Sequence, residues 1–387
     1  MTSSIRFFQQ PLFLVGFRPF FTLTFIVGAA LPLIWVAAYS GWSSWPLEAI
    51  GPSQWHGHEM FYGFGGALVV GFLLTASKNW VKIRGLHGAP LALAVLFWFT
   101  DRFAITLEVG PLGWILGNLF VIYMMGYLVF TLVKNRANDF FADNYLFWIV
   151  LPLFVVAKNL TFNPDTYAEG IAMTTGLFRV FFVIMFERTM AQFMKNAMNC
   201  PLLRWTWLDY GIKFLMLASV ASVFLPEQIA AGLLGITTGL LGFRFLIWKP
   251  HIGFQNFGIA VMYLGYLGLT LHLGLETWGF LYGSIGVGAL SLHVFTFFCM
   301  GMIIPSMMVR ISQGHTGRKP IFVTSDRIAL GLMAFAGISR IIFTQVWPES
   351  YQLWIGLAGL GWSSCFIILG IRLTPFLWAA RIDGKEH

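Results

Sequence analysis

Charge is what this sequence has least of. Asp, Glu, Lys and Arg together make up 10% of 387 residues, against about 25% in an ordinary soluble domain. That scarcity, beside 58% hydrophobic residues and a mean hydropathy of +0.75, excludes a soluble fold, because no single core could hide so much apolar surface. Cysteine is nearly absent too. Cys200, Cys299 and Cys365 form no CxxC, and the last two lie in apolar runs, so a structural disulfide is not expected. No hydrophilic stretch is long enough for a separate domain, and one transmembrane domain over 1–387 is expected, with a short N-terminal segment (1–19) and a C-terminal tail (375–387) on the cytoplasmic side. The start of the chain has no short apolar run before a small-residue cleavage site, so a removed signal peptide is not expected either. GxxxxGK[ST], GxSxG and HExxH do not occur, which removes P-loop, nucleophile-elbow and zincin chemistry. Gly63-Phe64-Gly65-Gly66 lacks the strand–turn–helix context of a dinucleotide site.

What is present is a series of long apolar runs. A membrane-crossing helix needs roughly 20 of them in succession. They occur at about 20–40, 57–77, 90–108, 111–133, 145–162, 170–188, 209–225, 228–248, 257–276, 280–309, 328–346 and 351–374. Alternate loops carry the Lys and Arg: Lys78, Lys82 and Arg84; Lys134 and Arg136; Arg188, Lys195 and Arg204; Lys249; Arg310, Arg318 and Lys319; Arg381 and Lys385. The intervening loops carry none. Basic loops stay in the cytoplasm, so the sequence predicts an all-α, polytopic bundle of about twelve helices with both termini cytoplasmic. The net charge of +8 then sets topology and does not imply nucleic acid. Small residues at four-residue spacing, such as Gly63, Ala67 and Gly71 or Gly235 and Gly239, let helices approach closely. For the first of these a flat cofactor lying on the smooth face is the rival reading.

Ionisable groups inside such helices are costly and mark function by default. Asp101, Arg102 and Glu108 fall in the third run, Lys158 in the fifth, Arg179 and Glu187 in the sixth, Arg244 in the eighth and Arg340 in the eleventh. Either the charges neutralise one another, with Asp101 paired to Arg179 or Arg340, or the arginines hold carboxylates of a bound anion, which a planar guanidinium grips bidentately. Four histidines gather at related depths. His56 and His58 open the second run at the outer face, and His272 lies near the outer end of the ninth. His293, about 13 residues into the tenth run, is ~20 Å deep at about 1.5 Å per residue. Imidazole ligates haem iron and copper alike. Residues two apart on a helix point ~200° apart, so His56 and His58, if both helical, cannot ligate one metal: they face two sites, or one ligates while the other hydrogen-bonds, and a helix broken at Gly57 would allow a shared site. Met300, Met302, Met307 and Met308 crowd the end of the tenth run and read as packing. His315-Thr316-Gly317-Arg318 either caps the bundle or docks an anion.

Two blocks carry a resemblance. One is Trp55-His56-Gly57-His58-Glu59-Met60 with Gly63-Phe64 and Gly71-Phe72-Leu73-Leu74-Thr75-Ala76. The other is His293 with Met307-Met308-Val309-Arg310 and Gly314-His315-Thr316-Gly317-Arg318. Together with Arg18-Pro19-Phe20-Phe21, they resemble the NnrS family over nearly the whole chain. The resemblance implies a twelve-helix haem- and copper-containing protein of the bacterial cytoplasmic membrane, tied to nitric oxide metabolism and nitrosative stress. The chain departs from the family pattern near Tyr263, where a histidine is common just before Gly265-Tyr266, at Phe186-Glu187-Arg188-Thr189-Met190, and at Pro305. These departures bear on the second metal more than on the haem.

The expectation is therefore a haem b protein, with copper as a further metal. His56, His58, His272 and His293 are the candidate metal ligands. Arg102, Arg179 and Arg340 would hold the cofactor, for instance by its propionates. Glu59, Asp101 and Glu108 are candidates for a proton route, and a quinol or other donor would supply electrons to an oxidoreductase acting on nitric oxide. A twelve-helix secondary transporter is the alternative of another class, because buried charge suits it equally well. A sensor that binds nitric oxide without turnover is the third.

Overall fold

In hydrocarbon every backbone N–H and C=O must be satisfied within its own segment, which leaves helices as the solution for chains patterned like this one. A computed structural model describes residues 8–45, 47, 50–104, 110–283 and 288–385, and among them there is no strand. Eleven helices are long and apolar enough to cross a membrane. They are α1 (Phe17–Tyr39), α2 (Pro52–Trp80), α4 (Gly110–Lys134), α5 (Ala142–Phe162), α6 (Pro164–Met198), α7 (Thr206–Phe224), α8 (Glu227–Ile247), α9 (Phe257–Tyr282), α10 (Gly288–Gly314), α11 (Thr324–Val346) and α12 (Pro348–Trp378). The twelfth expected helix, α3, is described over Ala89–Ala104. Glu108, its last candidate residue, lies outside the described residues. Large apolar side chains such as Ile26, Leu96, Phe214, Ile236, Leu271 and Ile371 are exposed, as a polytopic helical membrane protein requires of its lipid-facing surface.

The chain divides into two compact units: residues 1–167 with 308–321 and 363–387, and residues 168–307 with 322–362. In the first, α1 lies on α2 through small residues. A Cβ on Gly71 would stand 2.8 Å from Phe20 Cβ, and one on Gly16 would stand 2.4 Å from Leu74 Cβ. Thr75 Oγ1 accepts the otherwise orphaned Phe17 N–H at 3.1 Å. At the other end of the chain, buried Arg18 donates through Nη1 to Leu377 O (2.6 Å) and Ala379 O (2.7 Å), satisfying carbonyls at the end of α12. In the second unit α9 and α10 meet backbone to side chain: a Cβ on Gly268 would lie 2.7 Å from the Phe298 carbonyl carbon, and one on Gly265 would lie 2.4 Å from Ile303 Cγ1. By contrast, nothing lies within 4 Å of a Cβ on Gly239, so small spacing alone does not mark a contact.

Three helices contain a wide π-type turn: α2 at Glu59–Gly65, α10 at Val294–Met300 and α11 at Ser339–Phe343. Such turns shift the helix face by a residue and recur at functional sites. Here they begin directly after His58, directly after His293, and one residue before Arg340.

Candidate functional site

The first unit holds a buried cluster built from α2, α3 and α5. His58, Glu59, Asp101 and Lys158 are each at most 2% exposed. Asp101 Oδ2 accepts from Lys158 Nζ at 2.6 Å and from Arg102 Nη2 at 2.7 Å. Glu59 Oε1 accepts from Arg102 Nε at 2.8 Å and from His58 Nδ1 at 3.0 Å. Lys158 also donates to Gly117 O at 2.5 Å, and Arg102 lies over the Trp98 ring at 5.0 Å. Two carboxylates thus face one guanidinium and one ammonium, and the sum is zero with His58 neutral. Asp101 therefore takes Arg102 and Lys158 as partners, in place of the Arg179 or Arg340 pairing that buried charge alone suggested. A carboxylate can only accept, so His58 carries its proton on Nδ1. Its Nε2 faces Asp101 Oδ1 at 3.6 Å, and neither of those two atoms has a hydrogen-bond partner.

His56 goes elsewhere. Residues Pro52–His58 are α-helical, so the ~200° separation holds. The His56 ring stacks on Trp35, with centroids 4.6 Å apart and planes at 18°. His58 is flanked by Tyr62 and Phe162 at 5.5 and 5.8 Å. Gly63 and Gly71 of the small-residue stripe are covered by the protein itself: a Cβ on Gly63 would meet Glu59 Oε2 at 2.7 Å, and Gly71 abuts Phe20 and Phe21. That favours helix packing over a flat cofactor on this face.

The second unit holds His272 and His293. His272, 1% exposed, has Nδ1 at 2.9 Å from both Ser291 O and Ser291 Oγ. A carbonyl accepts only, so Nδ1 is the protonated nitrogen and Nε2 carries the lone pair. Nε2 receives Arg179 Nη1 at 3.4 Å. His293 is held in the same sense, with Nδ1 donating to Ala289 O at 2.5 Å. Arg340 lies 5.8 Å from the centroid of the Tyr351 ring. Tyr263, near where the family pattern has a histidine, donates its hydroxyl to Trp248 O and fills the space left by Gly253.

A second ionic cluster lies in this unit. Glu187 takes Arg204 and, at 3.1 Å, Lys213. Asp209 takes Arg204 at 2.8 Å and Arg244 at 3.5 Å, and Arg244 Nε donates to Tyr266 Oη at 2.9 Å. Sequence reasoning singled out Glu187 and Arg244 and missed Asp209, Lys213 and Tyr266. The usable signal was the Asp209–Lys213 spacing of four at the start of α7, which puts acid and base on one face.

Across both units, among the described residues, no three His, Cys, Asp or Glu side chains converge as a metal donor set. His272 and His293 each present one imidazole held at Nδ1 by a backbone carbonyl. The NnrS family model matches residues 11–381. The chain belongs to the NnrS family. Membership links it to nitric oxide metabolism. A search among curated proteins finds no match.

Proposed function

We propose that this NnrS-family member is a haem b membrane protein that binds nitric oxide and removes it, or adducts derived from it, by reduction. The observation that carries this reading is the shared tautomer of His272 and His293. Both keep Nδ1–H on a backbone carbonyl, the outer bond that usually orients a metal-bound histidine; at His272 iron would displace the long Arg179 Nη1 contact from Nε2. The π-type turn that starts after His293 supports it. When bound, the haem would supply an iron centre for nitric oxide. The chain's own contribution is to fix the two rings: Ser291 on one side of His272, Ala289 on one side of His293. His56, stacked on Trp35, is a third imidazole candidate. His58 is the least suited, because both its nitrogens face carboxylates. Asp101 Oδ1 and Glu59 are the proton-holding candidates, and a quinol or other donor in the bacterial cytoplasmic membrane would supply electrons.

The test is an absorption spectrum of detergent-purified protein, with haem quantified per chain, before and after dithionite and nitric oxide. A Soret band that shifts at both steps is expected. His272→Ala and His293→Ala should lower haem content, and His315→Ala should not. A colourless protein, still so after expression with haem precursor, would refute the reading. It would favour the transporter, to which the two buried ionic clusters also lend themselves.

A further inference from the structure

The lone pair that would make His272 a metal ligand is already in use. His272 keeps its proton on Nδ1, toward Ser291 O at 2.9 Å, so Nε2 is an acceptor. The group on it is Arg179 Nη1, at 3.4 Å. A neutral imidazole has one acceptor nitrogen, and its single lone pair either accepts from a guanidinium or binds a metal. The two exclude each other. Arg179 is held in a way that lets it leave. An ordinary N–H···O bond is about 2.7–3.2 Å, whereas the Arg179 contacts are both longer: 3.4 Å to His272 and 3.5 Å from Nη2 to Ser219 O. Gly176, one turn earlier on α6, leaves the guanidinium its place, since a Cβ there would stand 3.3 Å from Nη2. An acid is at hand. Glu276 lies four residues beyond His272 on α9, hence one turn away on the same face, and is half-buried. Its charge acts on both Arg179 and His272, while the hydrogen bonds of Arg179 go to His272 and Ser219.

Together the three side chains form an exchange. We propose that Arg179 competes with haem iron for His272 Nε2, and that Glu276 is the acid that receives the guanidinium once the lone pair goes to iron. The proposal rests on reading His272 as a haem ligand. While Arg179 holds Nε2, its hydrogen bonds are to neutral acceptors and the charge of Glu276 acts on it from further off. Once Nε2 is taken, the guanidinium has lost its imidazole acceptor. One turn along α9, about 5.4 Å, a carboxylate offers a charge-assisted bond, the stronger kind. Arg179 is then a positioning residue that limits the affinity of His272 for iron, and Glu276 relieves that limit by giving the displaced cation a partner. This is opposite in sign to the cofactor-holding role that the buried charge suggested on sequence. Removing an arginine that grips a propionate weakens haem binding; removing a competitor strengthens it.

The experiment is a hemin titration of purified full-length protein, expressed without added haem precursor and read as Soret absorbance per chain. It compares wild type, Arg179→Met, Glu276→Gln and the double variant. Arg179→Met should bind hemin more tightly, by about threefold or more, the worth of one modest hydrogen bond. Glu276→Gln should bind it more weakly by a similar factor. The double variant should match Arg179→Met, because Glu276 acts through the guanidinium. Placing His272→Ala beneath all four should erase the differences among them, since the competition is for its Nε2. Arg179→Gln, shorter and still polar, is the second variant should methionine not fold, and it should shift binding the same way. A purely structural Arg179 would not tighten binding when removed. Weaker hemin binding by folded Arg179→Met or Arg179→Gln overturns the competition and makes the arginine a holder of the cofactor. Equal affinity across the four proteins overturns it as well, as does a Glu276→Gln loss that persists undiminished in the Arg179→Met background. Hemin uptake by none of the proteins brings down the haem reading and the competition with it, whereas uptake indifferent to Arg179 brings down the competition alone, so the two failures are told apart.

Discussion

Replacing Asp101 by Asn tests whether the first unit's cluster is held by charge balance. Asp101 is wholly buried and accepts from Lys158 and Arg102 at 2.6 and 2.7 Å. After substitution, Glu59 still neutralises Arg102 at 2.8 Å, but Lys158 keeps only the Gly117 carbonyl and the rings of Tyr62 and Phe162. Stranding one member of a buried pair typically costs about 3–5 kcal/mol. Lys158→Met alone should also destabilise, because two carboxylates then share Arg102. The double variant, Asp101→Asn with Lys158→Met, restores one acid against one base. It should recover on the order of 3 kcal/mol relative to the sum of the single losses. The assay is equilibrium unfolding in mixed micelles for wild type, both single variants and the double. Losses that add within about 0.5 kcal/mol would show the two groups to be independent and refute the balance argument.

Two other outcomes are expected. His315, just past the end of α10, is pushed down to about 4 by burial first and then by Lys78, Arg381 and Arg18. Its folded value lies below the unfolded one of about 6.5, so the unfolded chain binds the proton more readily. The stabilisation is complete above pH 6.5 and lost as pH falls toward 4, by up to about 3 kcal/mol; a His315→Asn protein that melts with an unchanged acid slope over that window would contradict this. Gly268→Ala should cost about 1–3 kcal/mol by overpacking against Phe298, while Gly239→Ala, with open space around its Cβ, should be neutral or slightly stabilising through helix propensity. Equal midpoints for the two alanine variants would sink that contrast.

The membrane helices were legible because hydrocarbon forces their length and apolarity; of the twelve expected, eleven are long and apolar enough to cross among the described residues. The divergence of His56 and His58 was legible for the same geometric reason, two residues on a 3.6-residue turn. Lateral order was not. Nothing in one sequence says that α5 brings Lys158 to Asp101, or that Arg102, the next residue, reaches the same carboxylate. On sequence the expected partner of Asp101 was an arginine of another helix, Arg179 or Arg340, yet the long side chain of neighbouring Arg102 folds back to it. The wide turns after His58 and His293 carry no compositional mark. His315-Thr316-Gly317-Arg318 resolves to its capping reading: Arg381 donates to His315 O at 3.0 Å and Ile382 N–H to Thr316 O at 3.2 Å.

Charge accounting then separates what holds the protein together from what marks a site. The first cluster sums to zero, and its strong pairs leave the His58–Asp101 edge and Arg102 Nη1 without hydrogen-bond partners. The second cluster sets Arg204, Lys213 and Arg244 against Glu187 and Asp209, one cation in excess, and Arg204 at 42% exposure reaches water with that excess. Both are therefore stable without any ligand, and mutation within them should be read first as a change in folding. Arg179 is held differently: its hydrogen bonds are long ones, to His272 Nε2 at 3.4 Å and Ser219 O at 3.5 Å, and Glu276 is the acid whose charge acts on it, so a change at Arg179 should be read first through the His272 ring it touches.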